Sequence, residues 1–337
     1  MADDGRPLVR FTSTLIGSLL LAMAAAMLAV RWGDTTTAWG AAAAGLTLFA
    51  IGPLLAGGAL AWLGGSTSLR TATVAIGLGY LLTVSPVEAV LGCGGHRADD
   101  ELTVLTANIL RYADQPAGLA DTIAASDADI VVLQEVNDTV HRSLRANEVL
   151  ADYGYWSSVD RAVTFGPRTS AVLVLSKLDG LSTERLDIGA AGAADIVFAL
   201  PPTIGGTEAG TVTLTGVHVN APSRPRKVQP WRDQLAALAD HPTDRPAIMA
   251  GDFNATEDHR PFRHLLGQGW TDVHQVKGCG FGLTFPVNGM LPFPVMRLDH
   301  VLVTDHFEVL NVELVEETNG SDHRPVLTHV RLRAADS

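Results

Sequence analysis

Apolar residues along this chain follow two rhythms, and the change comes after Gly92. Before it lie three nearly continuous apolar segments, about Leu8 to Val30, Ala38 to Leu63 and Leu69 to Leu91. A helix rising about 1.5 Å per residue needs roughly 20 apolar residues to cross a hydrocarbon layer about 30 Å thick. The pattern therefore predicts three transmembrane helices, a membrane anchor over residues 1–97 that meets the lipid bilayer through residues 8–91. Gly57-Gly58, Gly77, Gly79 and Pro86 would weaken a helix in water, whereas in a membrane small residues let helices approach closely. The other reading of the first segment is a cleaved signal peptide, for which Arg31-Trp32-Gly33-Asp34 offers no small-residue cleavage site.

From Ala98 the apolar runs shorten and alternate with polar turns, which predicts a globular α/β domain over residues 98–337. Strand-like runs are Leu102 to Asn108, Asp129 to Glu135, Thr169 to Ser176, Asp195 to Leu200, Thr211 to Asn220, Pro246 to Ala250, Arg297 to Val303, Phe307 to Val315 and Val326 to Leu332. Helical spacing covers Gln115 to Ala125, Asn137 to Leu150, Trp231 to Ala239 and Phe262 to Leu266. The proline- and glycine-rich stretch Cys279 to Pro294 predicts an irregular lip beside a site.

Charge sharpens the division. Up to Gly92 four arginines balance four acidic residues, so the whole formal net charge of -12 belongs to the second part. An acidic domain has no general attraction for nucleic acid or anionic lipid, and a polyanionic substrate would need a local basic patch or bound cations. The notable basic cluster is Arg224, Arg226 and Lys227, in a predicted loop from Pro222 to Pro230. Arg6 and Arg10 precede the first apolar segment, Arg31 follows it and Arg70 lies between the second and third. By the preference of basic residues for the cytoplasm, this places the N-terminus inside and, with three spans, the α/β domain outside. Cys93 and Cys279 suit an oxidising compartment, either paired or as two separate thiols.

The candidate chemistry collects at strand ends. Ala250-Gly251-Asp252-Phe253-Asn254 sets a carboxylate and a carboxamide two residues apart straight after an apolar run. Such a pair either caps its own turn or handles a proton and an oxyanion. Asn108 closes one strand-like run and Glu135 another; the glutamate either emerges into water or holds a hard cation. His218 is a core histidine or a donor to a phosphate oxygen. Near the end, Asp299 lies in an apolar strand, and Asn319-Gly320-Ser321-Asp322-His323-Arg324-Pro325 is a surface turn or the rim of a cleft. An aspartate that steadies a histidine makes a general base or an imidazolium that stabilises an oxyanion, and Asp299 with His323 is the pair chosen here. Asp322, pointing away from its neighbour, suits a metal-side carboxylate.

Taken in order, Asn108, Gln134-Glu135, the His218 strand, Gly251-Asp252-Phe253-Asn254, Arg297-Leu298-Asp299-His300 and Ser321-Asp322-His323-Arg324-Pro325 resemble the endonuclease/exonuclease/phosphatase superfamily. That group includes deoxyribonuclease I, abasic-site endonucleases, inositol polyphosphate 5-phosphatases and neutral sphingomyelinases. The resemblance covers nearly all of residues 100–332. It implies a four-layer α/β/β/α sandwich of two packed mixed sheets with the site on one edge, here preceded by the three spans, as in membrane-anchored bacterial members. It implies hydrolysis of a phosphate ester by a phosphodiesterase, nuclease or phosphatase with Mg²⁺, or Mn²⁺ or Ca²⁺. Carried over residue by residue, Glu135 with Asn108 would hold the ion, with Asp322 near it. Asp252 would orient or deprotonate the attacking water, Asn254 and His218 would bind phosphoryl oxygens, and His323 steadied by Asp299 would complete the set. The substrate would be a lipid head group, a cell-surface phosphate ester or nucleic acid, and no obligate protein partner is evident. The expected location is the bacterial plasma membrane, with the catalytic domain outside the cytoplasm.

Two departures stand out. Leu110 occupies a position two after the first asparagine where the family's nucleases often place an acid, and Phe285 stands where many relatives have Trp. The alternative function is a non-catalytic, membrane-anchored interaction module that retains the fold.

Overall fold

The structure is a computed structural model that describes residues 6–33, 35–84, 100–110, 116–157, 171–186, 193–201, 210–277, 280–287, 289 and 291–333. The boundary expected at residue 97, Cys93 and Cys279 lie outside the described residues. The chain divides into two compact units: Met1–Pro86 with Pro222–Val228 and Glu257–Arg260, and the remainder.

In the first unit the sequence predicted three membrane spans, and the structure corrects this. Among the described residues one helix, Pro7–Trp32, is long and apolar enough to cross a membrane, with a mean hydropathy of 2.1. The second segment is broken: Ala38–Gly45 and Thr47–Leu63 meet at 64° and amount to a span only if the bent pair counts as one. The break has a local cause. Leu46 N–H bonds back to Ala43 and Ala44, and Thr47 Oγ1 donates to the Ala44 carbonyl at 2.7 Å, so the backbone of a continuous helix is diverted at this point. The third helix is capped by Ser66, whose Oγ accepts the Leu69 N–H, and covers the 17 residues Thr67–Thr83; residues 85–91 of the third predicted segment lie outside the described residues. The unbroken apolar composition of the second segment concealed its break. Small residues do bring helices together: a Cβ on Gly17 would lie 3.2 Å from the Gly57 carbonyl, and one on Gly57 would lie 2.9 Å from Leu21 Cγ. Leu21, Ala24, Leu28, Ala50, Leu54 and Tyr80 form this unit's core.

Among the described residues the second unit has twelve strands: β1 Glu101–Asn108, β2 Ile130–Val136, β3 Gly154–Ser157, β4 Ala171–Ser176, β5 Gly180–Leu186, β6 Ala193–Ala199, β7 Thr211–His218, β8 Ala247–Asp252, β9 Thr271–Asp272, β10 Asp299–Val303, β11 Phe307–Leu314 and β12 Val326–Leu332. They form two mixed six-stranded sheets, β11-β12-β1-β2-β4-β3 and β5-β6-β7-β8-β10-β9. One apolar cluster takes side chains from both sheets, among them Val104, Val132, Val174, Ile196, Leu214, Ile248 and Val301, so the sheets pack face to face. Gly216 permits close approach, since its Cβ would meet Val172, Val174 and Val132 at 3.0–3.3 Å. The outer face of the first sheet is covered by the helices Pro116–Ser126 and Asp138–Arg145, whose Leu119, Ile123, Val140 and Leu144 join Leu105, Val131 and Leu133. On the helix Pro225–Ala239, Trp231, Leu235 and Leu238 are fully buried.

Several boundaries moved for local reasons. Asn137 is the N-cap of its helix and not a member, its Oδ1 accepting the Val140 N–H at 3.0 Å. The helix expected from Trp231 begins at Pro225, so Arg226 and Lys227 belong to its first turn and not to a loop. Strand β5 escaped the reading because Gly180-Leu-Ser-Thr-Glu-Arg-Leu is a mostly exposed edge with no apolar alternation.

Candidate active site

The topology delivers the candidate residues to one edge. Parallel pairing of β1 with β2 puts Asn108 opposite Gln134, and parallel pairing of β7 with β8 puts His218 opposite Asp252. Antiparallel pairing sets Asp299 at the start of β10 directly against Asp252 at the end of β8. Strand β12 runs antiparallel to β1, which brings the turn before it, with His323, to the tip of β1. Because β1 and β2 face β8 across the sandwich, the two groups of strand tips meet.

Backbone irregularities aim the side chains. Between Leu133 and Val136, β2 takes one more residue than β4, a bulge that turns Glu135 (φ 62°) out of the ladder. Asn254 also sits in the left-handed region, at φ 47°. For residues other than glycine such backbone costs about 1–3 kcal/mol each, and it concentrates where function over-determines geometry. Gly251, at φ 153°, allows the approach of β8 to β7, since a Cβ there would collide with the Val217 carbonyl.

Asp252 is the centre. It is 1% exposed, and its Oδ2 accepts from Asn108 Nδ2 at 3.0 Å and Asn254 Nδ2 at 3.1 Å, while Oδ1 accepts the Asn254 N–H at 2.8 Å. Asn108 Nδ2 also lies 3.5 Å from Glu135 Oε1, and its Oδ1 accepts the Leu110 N–H. The carboxamide therefore turns its nitrogen to the two carboxylates. His218 Nε2 stands 3.9 Å from both Glu135 Oε1 and Asp252 Oδ2, too far for a hydrogen bond to either. Asn254 gives its amide hydrogens to Val219 O and to Asp252. On the other side His323 Nδ1 is 2.7 Å from Asp299 Oδ2, and one ligand atom each of Asp252, Asp299 and His323 lie within 4.8 Å of one another. Asp322 is not in that group; its charge acts on His323 and its carbonyl accepts the Val287 N–H.

These contacts set the protonation states. Burial is the largest influence on Asp252 and raises its carboxyl above the usual range; His323, His218 and the Asn254 N–H pull the other way without cancelling it. Burial alone would lower the His323 imidazolium, but the charge and hydrogen bond of Asp299, with Asp252 and Asp322 behind, lift it to about 10. At neutral pH the site thus holds an aspartate of raised basicity beside a histidine that is already a cation. Of the two roles open to His323, the donor is the one this arrangement supports.

Two supports, Ser321 and Thr284, were not singled out from the sequence. Ser321 Oγ donates to the Asn108 carbonyl at 2.6 Å and accepts the His323 N–H, tying the turn to β1. Thr284 Oγ1 accepts the Leu298 and Asp299 N–H groups at 3.1 and 3.3 Å. The only signal of these two was proximity in sequence to stronger candidates. The ring of Phe285, which the sequence did mark as a departure, lies 4.8 Å from that of His323.

The carboxylate and carboxamide oxygens of this cluster are donors that suit a hard divalent cation. Among the described residues Asp252, Asp299 and His323 are close enough together to share an ion, but an imidazolium repels a cation. Glu135, with 23% of its side chain exposed, has the room for water that Mg²⁺ keeps in its shell.

Solved structures share this architecture. An endonuclease/exonuclease/phosphatase from Bacteroides vulgatus superposes with a TM-score of 0.57 at 17% identity, covering 69% of this chain and 99% of that one. A mannosyl-6-phosphatase from Bacteroides thetaiotaomicron gives 0.53 at 16%, covering 68% and 99%. The D. rerio protein TDP2, complexed with single strand DNA product, gives 0.54 at 17%, also covering 68% and 99%. No curated protein matches the chain in sequence. The family model described as Endonuclease/Exonuclease/phosphatase family matches residues 105–323, the stretch that holds every residue of the strand-end cluster, and the chain is a member of this family of phosphoesterases and nucleases.

Proposed function

We propose that this protein hydrolyses a phosphate ester with the help of a divalent cation, Mg²⁺ or its relatives Mn²⁺ and Ca²⁺. The observation that carries the reading is the placement of Asp252, buried and raised in basicity, between a half-open carboxylate side (Glu135, Asn108, His218) and a cationic side (His323, Asp299). Glu135 would hold the ion, with Asn108 and Asp322 as further oxygen donors once the Asn108 carboxamide turns its oxygen inward. Such an ion supplies charge neutralisation at the phosphoryl and leaving oxygens. Asp252 orients a water and takes its proton as the oxygen attacks phosphorus. Asn254 fixes Asp252, and passes one amide hydrogen to a phosphoryl oxygen if Asp252 releases it. His218 Nε2 and His323 donate to the remaining phosphoryl oxygens, where negative charge grows in the transition state.

The helix Pro7–Trp32 would tether the protein to the bacterial plasma membrane. With Arg6 and Arg10 before it against Arg31 after it, a single span places the catalytic domain outside the cytoplasm. Tethering favours a lipid head group or cell-surface phosphate ester, with nucleic acid as the other substrate class. The test is hydrolysis of bis-p-nitrophenyl phosphate, phospholipids and DNA by the full chain in detergent, with Mg²⁺ or with EDTA. Turnover of one substrate, abolished by EDTA, is expected; no turnover with Mg²⁺, Mn²⁺ or Ca²⁺ would leave the non-catalytic module. Protease added outside spheroplasts should release the catalytic domain.

A further inference from the structure

Successive residues of a strand face opposite ways, so while Asp299 turns to His323, its neighbour His300 turns to the back of the site. His300 is 1% exposed. Its Nδ1 lies 2.8 Å from Asp272 Oδ2, and its Nε2 lies 2.9 Å from the Ala255 carbonyl and 3.1 Å from the Arg297 carbonyl. Both ring nitrogens thus face acceptors. The ring stands edge-on to Phe253, with centroids 5.7 Å apart at 86°. Asp272 is itself anchored, accepting the His274 N–H at 3.0 Å and pairing with Arg297 at 3.4 Å.

These contacts are in the segments that carry the site. Ala255 follows Asn254, Phe253 separates Asn254 from Asp252, and Arg297 is two residues before Asp299. The ladder between β8 and β10 ends at the pair Asp252 and Asp299. Beyond it the two segments are joined by the Phe253 N–H to the Leu298 carbonyl, at 3.0 Å, and by the His300 ring. Asn254 needs such restraint, because it holds a left-handed backbone while its N–H reaches Asp252 Oδ1.

We propose that His300 is a positioning residue of the strand-end site, whose ring ties the Asn254 loop to the Asp299 strand from behind. The inference rests on the catalytic reading above. Two near-isosteric variants divide the ring's work. In His300→Asn the amide nitrogen replaces Nδ1, keeping the Asp272 contact and losing the carbonyl tie; in His300→Gln it replaces Nε2 and the losses reverse. In the full chain, His300→Asn should lower kcat about 10- to 100-fold, the scale of a misplacement near 1 Å, with KM within about twofold, while His300→Gln keeps kcat within about threefold. Amide hydrogen exchange gives a second readout. The Asn254 and Asp299 N–H groups should exchange faster in His300→Asn than in His300→Gln, with Leu105 and Val131 unchanged. Native kcat together with native exchange at Asn254 in His300→Asn overturns the proposal, as does faster exchange spread evenly over both sheets. If His300→Asn does not fold, Asp272→Asn loosens the same ring, and unchanged exchange at Asn254 there overturns it. Should the native chain hydrolyse no phosphate ester, the exchange comparison still decides the tie, so failure of the functional reading shows separately.

Discussion

The turn leading into β12 and the strand itself each carry a buried histidine paired with a carboxylate, and only the first of the two meets a carboxylate of the other sheet. In the turn, His323 holds Asp299 at 2.7 Å; in the strand, His329 holds Glu101 at 2.9 Å, with Thr103 Oγ1 at 3.4 Å. Both rings are almost fully buried, at 6% and 4% exposure. The difference lies in what surrounds them. The second nitrogen of His329 is 3.5 Å from Glu313, so its ring bridges three strands of one sheet. His323 stands against Asp252 of the other sheet, and Asp299 Oδ1 beside it is buried with no hydrogen-bond partner among the described residues. A His–carboxylate pair is thus a structural part until a second set of polar groups, held by other strands, leaves something for it to act on.

The comparison breaks most sharply at Asp252. Asp252→Asn keeps the shape and removes the proton acceptor, and kcat should fall about 10²- to 10³-fold or more. His323→Ala should lose a similar factor through the missing cation. A melting temperature at or above the native value for Asp252→Asn, measured alongside activity, would show that the carboxylate serves chemistry at the expense of the fold. Full activity in either variant would remove the distinction between the two histidines. Next in size is Glu135→Gln, which keeps the bulge and halves the negative charge facing Asn108. It should raise the Mg²⁺ concentration for half-maximal rate about 10- to 100-fold, the scale seen when groups supporting a metal site are altered. An unchanged Mg²⁺ titration would move the ion elsewhere.

How far all this could be read from the residues differs between the parts of the molecule. Strand ends with Asn108, Glu135, His218 and Asp252 were legible because a polar residue that closes an apolar run is costly unless partnered. The pairing of Asp299 with His323 was legible in kind, since few chemistries use a buried aspartate near a histidine-bearing turn. Hidden were the features set by tertiary contact. The positive φ of Glu135 arises from a register shift against β4, which no local pattern encodes. The inward nitrogen of Asn108 is dictated by the Leu110 N–H taking its oxygen. Ser321 and Thr284 reveal themselves only by whose backbone they bond. The break at Gly45 to Thr47 was missed because hydropathy counts apolar residues and is blind to a backbone that changes direction among them.

A smaller effect follows from pH. The proton on His323 is held more tightly in the folded chain, with its pKa raised from the ordinary 6.5 to about 10. A raised histidine contributes stability that is fully present below the unfolded value and lost as the pH climbs through the folded one. The gap in melting temperature between the native chain and His323→Gln should be widest below pH 6.5 and narrow toward pH 10. A gap that instead widens with pH would mean the ring is neutral in the fold.

The smallest change in rate belongs to the histidine within β12. His329→Gln removes a ring that joins β1, β12 and β11 and leaves Glu101 buried with a poorer partner. Stability should drop by about 1–3 kcal/mol, the cost of leaving a buried polar group unsatisfied. The strand-tip geometry is fixed independently of this ring, by Ser321 on Asn108 and Thr284 on Asp299, so kcat should stay within about twofold while the protein is folded. Denaturant melts and initial rates on the same preparation separate the two quantities. A large loss of rate without loss of stability would mean that the far end of the sheet reports to the site, and His329 would then belong with His323 after all.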